Sequence, residues 1–96
     1  MAVGVVGLAA IQVANEDAYR VSIMIENRSG ANIIYADSVR PEGLVIANAR
    51  VRIGPNETVT LNKENDGVIV NHVWSCVADG ALTPYAVIEG YKLKVA

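Results

Sequence analysis

The stretch Arg20-Val21-Ser22-Ile23-Met24-Ile25-Glu26 decides the fold class. Apolar β-branched residues occupy positions 21, 23 and 25, and polar ones occupy 20, 22 and 26. A strand sends alternate side chains to opposite faces, so this period of two marks a half-buried strand. Met24 is the departure, and it points to an outer face that is itself partly covered. Asn27-Arg28-Ser29-Gly30 then supplies turn-forming residues that close the strand.

The same grammar repeats on both sides of this stretch. Asn32-Ile33-Ile34-Tyr35-Ala36 reads as a short strand, ended by Asp37-Ser38 and the turn Arg40-Pro41-Glu42-Gly43. Leu44 to Ala47 is apolar without alternation and Arg50-Val51-Arg52-Ile53 alternates, giving either a hairpin through Asn48-Ala49 or one bulged strand. Gly54-Pro55-Asn56 is the sharpest turn, because proline fixes φ. In the strand after it, Val59 and Leu61 point inward and Thr58 and Thr60 outward. Residues 62–67 read as a polar loop ending in an Asp-Gly hairpin pair, and 68–77 as a long central strand covered on both faces. The closing alternation sets Tyr91, Leu93 and Val95 against Lys92 and Lys94. Seven or eight short strands with turns at regular spacing predict an all-β fold, a small antiparallel β-sandwich or flattened barrel. Residues 1–96 form one domain.

Composition narrows the function classes. Ninety-six residues with 52% hydrophobic but only 5% aromatic content, and no Phe, make a core of Val, Ile, Leu and Ala. Such a core gives modest burial in a domain this small, so association between identical chains is a natural source of further stability. Eight basic against ten acidic residues leave a net charge of -2, which offers neither nucleic acid nor an anionic membrane a footprint. The apolar opening, residues 1–14, is shorter than a membrane span and its first basic residue is Arg20. It reads as a folded strand or arm, open to exchange between subunits.

Chemistry is sparse. The single histidine, His72, leaves one candidate base, and Ser75 and Cys76 do not both share its strand face. Cys76 shares the face but at about 13 Å, four residues on, too far for a dyad. No HxH, HxxxH or CxxC spacing exists, and the loop at 62–67 lacks the acidic pattern of a calcium loop. The sequence therefore predicts no enzyme, no cofactor and no metal. Tyr19, Tyr35, Tyr85, Tyr91 and Trp74 would make a sugar-binding platform only if several were exposed together.

Taken over nearly its whole length, the chain resembles small β-sandwich domains of tailed-bacteriophage virion proteins, the head decoration, head-fibre and tail accessory type. The residues that carry the resemblance are the opening strand into Ala14-Asn15, residues 20–27, Ser29 to Tyr35, Gly43-Leu44-Val45-Ile46, Gly54 to Leu61, and Pro84 to Tyr91. The sequence departs from the pattern in lacking a glycine after Pro55 and in its long apolar segment around Trp74. The resemblance implies a capsid decoration (cement) or head-fibre protein, commonly a homotrimer that contacts the major capsid protein or other virion proteins. It implies location in the virion, assembled in the host cytoplasm. The residues expected at the interface are Val3, Val5, Val6, Leu8, Ile11 and Val13 of the arm, with His72 and Trp74. A carbohydrate-binding or adhesion module is the alternative.

Overall fold

The computed structural model describes residues 2–92. Eight strands run in chain order: β1 (Ala2–Val6), β2 (Ile11–Ala14), β3 (Arg20–Asn27), β4 (Ile34–Asp37), β5 (Val51–Ile53), β6 (Thr58–Asn62), β7 (Trp74–Ala78) and β8 (Thr83–Tyr91). They form two four-stranded sheets, β1-β8-β3-β6 and β2-β7-β4-β5, with every pairing antiparallel. The order has a simple origin. The chain folds back on itself between β4 and β5, so β1 pairs with β8, β2 with β7, β3 with β6 and β4 with β5. Rolling that double ribbon brings β3 against β8 and β4 against β7. The protein is thus an all-β sandwich, and its strand order is that of an eight-stranded jelly roll.

The core lies between the sheets and follows the alternation. Ile23 and Ile25 of β3 and Val87 of β8 face inward, against Ile34 and Ala36 of β4 and Trp74, Cys76 and Ala78 of β7. Trp74 is 1% exposed, the largest side chain in this interior, and its indole Nε1 donates to the Ile69 carbonyl. The outward residues of β7 are buried as well: Ser75 Oγ donates to Val39 O at 2.6 Å, so the β4–β5 connection crosses that face.

Several local expectations are corrected. The apolar opening is no continuous arm. It is divided between β1 and β2, one in each sheet, and both pair within their own chain. Residues 62–67 make no hairpin: Lys63–Asp66 is a single helical turn, α1, in which Asn62 Oδ1 accepts from Asn65 N and Asp66 Oδ2 from Asn62 N. Gly67, at φ 76, takes the chain out of it. The long strand expected over 68–77 is cut, because Gly67–Asn71 is a 3-10 turn and only Trp74–Ala78 is extended. The carbonyls of Ile69, Val70 and His72 are taken by side-chain donors from Trp74 and Arg20 and not by a neighbouring strand. Between β4 and β5, 3-10 turns at Pro41–Gly43 and Ile46–Asn48 replace the hairpin through Asn48-Ala49. The closing strand is β8, and Leu93, Lys94 and Val95 lie outside the described residues.

Candidate interaction surface

The groups that could do chemistry are kept apart. His72 is exposed on the connection into β7, with its carbonyl held by Arg20, whereas Ser75 and Cys76 are fully buried. Burial pushes the Cys76 thiol up from 9.0 to about 12, so it stays protonated and unreactive. Among the described residues, no three or more His, Cys, Asp or Glu side chains group to hold a metal ion. A shallow open groove of about 330 Å³ lies beside His72, lined by Glu16, Ala18, Lys63, Val68 and Asn71. Its amide is already engaged, since Asn71 Nδ2 donates to the carbonyls of Asp17 and Arg20.

Below that groove sits a residue whose role the sequence did not show. Arg20 is 0% exposed. The register of β3 against β8 shifts between Arg20 and Ser22, and the guanidinium turns inward at the end of the sandwich. Nε donates to Val70 O, Nη1 to Asn15 O and to Glu89 Oε1 at 2.6 Å, and Nη2 to His72 O. Four of its five N–H donors are thereby placed on three segments: Asn15 just upstream, Val70 and His72 in the connection into β7, and Glu89 on β8. A buried charge is tolerated only when paired and hydrogen-bonded in this way. Nothing near Arg20 in sequence announces it, because Glu89 is 69 residues away.

The opposite end inverts the usual hydropathy. The β1–β2 turn and the β7–β8 turn lie side by side: Ala78 N donates to Gly7 O at 2.9 Å, and a Cβ on Gly7 would stand 3.7 Å from Ala81 Cα. Each turn carries a leucine in solvent, Leu8 at 71% and Leu82 at 76% exposure. Leu82 also adopts φ 55, a left-handed conformation that a bulky side chain disfavours. On β1 next to this end, Val3 and Val5 are 62% and 53% exposed on the outer face. Antiparallel register sets Val3 opposite Ala86, and Met24 opposite Ile88, in neighbouring rows of that face.

The expected interface residues therefore separate. Val3, Val5 and Leu8 are exposed and lie at or next to one end of the sandwich; Ile11 and Val13 are half-buried on β2; His72 is exposed at the other end. Val6 and Trp74 point into the core and offer no surface to a partner. Leu82 was missed. Its signal is a branched apolar residue in the middle of a turn bracketed by Asp79-Gly80 and Thr83-Pro84. The aromatic side chains do not converge either: Trp74 is buried, Tyr85 lies over Gly4, and Tyr19 and Tyr91 are exposed at the Arg20 end.

No family model, no curated protein and no solved structure matches the chain. The class is accordingly defined by fold and surface alone: a small jelly-roll sandwich with a buried, hydrogen-bonded arginine at one end and two exposed leucines in the turns of the other.

Proposed function

We propose that this chain is a non-enzymatic assembly module, a phage virion structural protein of the capsid decoration or head-fibre type. The observation that carries the reading is Leu82. A leucine that is exposed and held at positive φ gains the fold little by burial and carries backbone strain. At 76% exposure Leu82 buries little within the described part of the chain, and a partner surface at this end would gain by covering it. Leu8 in the adjoining turn enlarges the contact. Jelly rolls recur in viral capsid domains, an argument by fold analogy that agrees with the resemblance in sequence. Decoration would work by addition, with several modest contacts from one assembly spanning neighbouring capsid subunits.

The carbohydrate-binding alternative loses its main residue, because Trp74 is in the core. Co-sedimentation with capsids assembled from the major capsid protein of the same genome tests the proposal. Binding by the wild-type chain that falls for Leu82→Asp, with the circular dichroism spectrum unchanged, supports it. A chain that never sediments with capsids or other virion components ends it.

A further inference from the structure

A β-sandwich has four strand edges, and here they are protected unequally. The edge strand β2 has four residues and a register break between Gln12 and Ala14. The edge strand β5 has three, with an exposed Arg52 at its centre. The edge strand β6 presents Thr58 and Thr60 to solvent and runs directly into α1. Bulges, short length, charge and covering elements are the usual means by which proteins prevent edge-to-edge pairing. The fourth edge, β1, has none of them. It pairs with β8 over five residues in unbroken register, contains no proline, and lies in a sequence whose first charged residue is Glu16. Among the described residues no strand pairs with its outer edge.

We infer that β1 is a self-association edge, and that its occupant is β1 of a second copy of this chain, antiparallel across a two-fold axis at Gly4. The segment Ala2-Val3-Gly4-Val5-Val6 is nearly symmetric about Gly4. Directly opposed antiparallel residues share a face. Pairing Gly4 with itself therefore sets Val3 beside Val5 of the partner subunit on the outer face, and Ala2 beside the partner's Val6 on the inner one. No side chain has to change faces. Charge favours a second copy as well. A two-fold axis brings every nearby charge close to its own duplicate, and this strand has no charge to duplicate. The result is a continuous sheet β6-β3-β8-β1 followed by the same four strands in reverse, eight in all, within the ordinary size of open sheets. Such a contact is isologous and closes at two chains. It differs from the three-fold order that the sequence resemblance implies, and it does not rest on a role in the virion.

Sedimentation velocity of the full chain from micromolar to millimolar concentration tests the inference, together with Val5→Lys and two cysteine variants. The expected result is a reversible monomer–dimer equilibrium whose dissociation constant rises about tenfold or more in Val5→Lys. Val5 is half exposed, so this substitution leaves the fold intact, as its thermal melt will report. Val3→Cys mixed with Val5→Cys is expected to give a disulfide-linked dimer under mild oxidation, since opposed Cα atoms lie about 4.5–5.5 Å apart. Either variant alone is expected to cross-link poorly, because like positions are offset by two residues, beyond about 7 Å. The native Cys76 is fully buried and does not compete. A monomer at every concentration, a trimer, undiminished association in Val5→Lys, or equal cross-linking by Val3→Cys alone would overturn it. Capsid binding is measured separately, so failure of this contact and failure of the proposed function are distinguishable.

Discussion

The two ends of the sandwich break the rule of apolar inside and polar outside in opposite directions. At one end Arg20, the residue type least suited to an interior, is wholly buried, and at the other Leu82 is three-quarters exposed. Arg20 is stable inside because the chain itself brings Val70, Asn15, His72 and Glu89 to its donors. Leu82 has no such compensation within the described residues. The contrast separates a residue whose partners are folded in from one whose side chain is left on the surface, and the second is where the proposed contact is sought.

The largest effect is expected at the buried end. Arg20→Met removes the guanidinium donors from three carbonyls and the ion pair from Glu89, and should cost about 3–5 kcal/mol in urea denaturation. Arg20→Lys should recover little, because three donors on a flexible stem cannot serve four acceptors in a planar fork. If Arg20→Met were as stable as wild type, the description of that end as internally closed would be wrong.

Asn27 sharpens the contrast from within the open end. Its Nδ2 donates to the carbonyls of Asn32 and Ile53, its Oδ1 accepts from Ser29 N, and it is 2% exposed. Asn27→Ala should therefore cost about 1–3 kcal/mol despite lying a few residues in space from exposed leucines. A loss below a few tenths would mean that the open end is loosely folded, and not merely uncovered.

Alkaline titration reads the core between the two ends. The Cys76 thiol is raised by burial, so the folded chain keeps its proton while the unfolded chain loses it above pH 9.0. Stability is complete below that pH and declines above it, by roughly 1.4 kcal/mol per pH unit until about 12. Burial also raises Tyr85, which acts in the same direction above pH 10.0. Cys76→Ala should flatten the first part of this slope; an identical slope would place its origin elsewhere.

The smallest expected change in stability belongs to Leu82→Gly. Glycine accepts φ 55 without strain but brings more entropy to the unfolded chain, so stability should stay level or rise by up to about 1 kcal/mol. Capsid binding should fall all the same. A marked destabilisation would show that Leu82 serves the fold.

Much of the fold was legible in sequence because it depends on neighbours along the chain. Ile23, Ile25, Val59 and Leu61 face inward as their alternation predicts, and the turn at Gly54-Pro55-Asn56 is closed by Glu57 N donating to Gly54 O. What was hidden depends on distant residues. Val68 to Val73 has the composition of a strand, yet Arg20 and Trp74 collect its carbonyls and hold it in a 3-10 turn. Tertiary hydrogen bonds there override a β propensity worth at most about 1 kcal/mol per residue. The pairing of the first strand with the last was equally invisible, because no local signal specifies a register across some 80 residues. For the surface, the apolar opening was expected to be a contact segment, but composition could not show that Val6 turns inward while Val3 and Val5 turn outward.

Backbone hydrogen exchange as a function of protein concentration compares most directly the apolar edge β1, inferred to meet a second copy, with the end closed from within by Arg20. Amides of residues 2–6 on the side away from β8 are expected to gain protection as concentration rises, with midpoint matching the sedimentation constant. Amides of residues 20–23 and 74–76, closed from within, are expected to be protected to the same degree at every concentration. Concentration-independent exchange at residues 2–6 would contradict the account of β1 as a self-association edge, since it would mean that no second copy covers it.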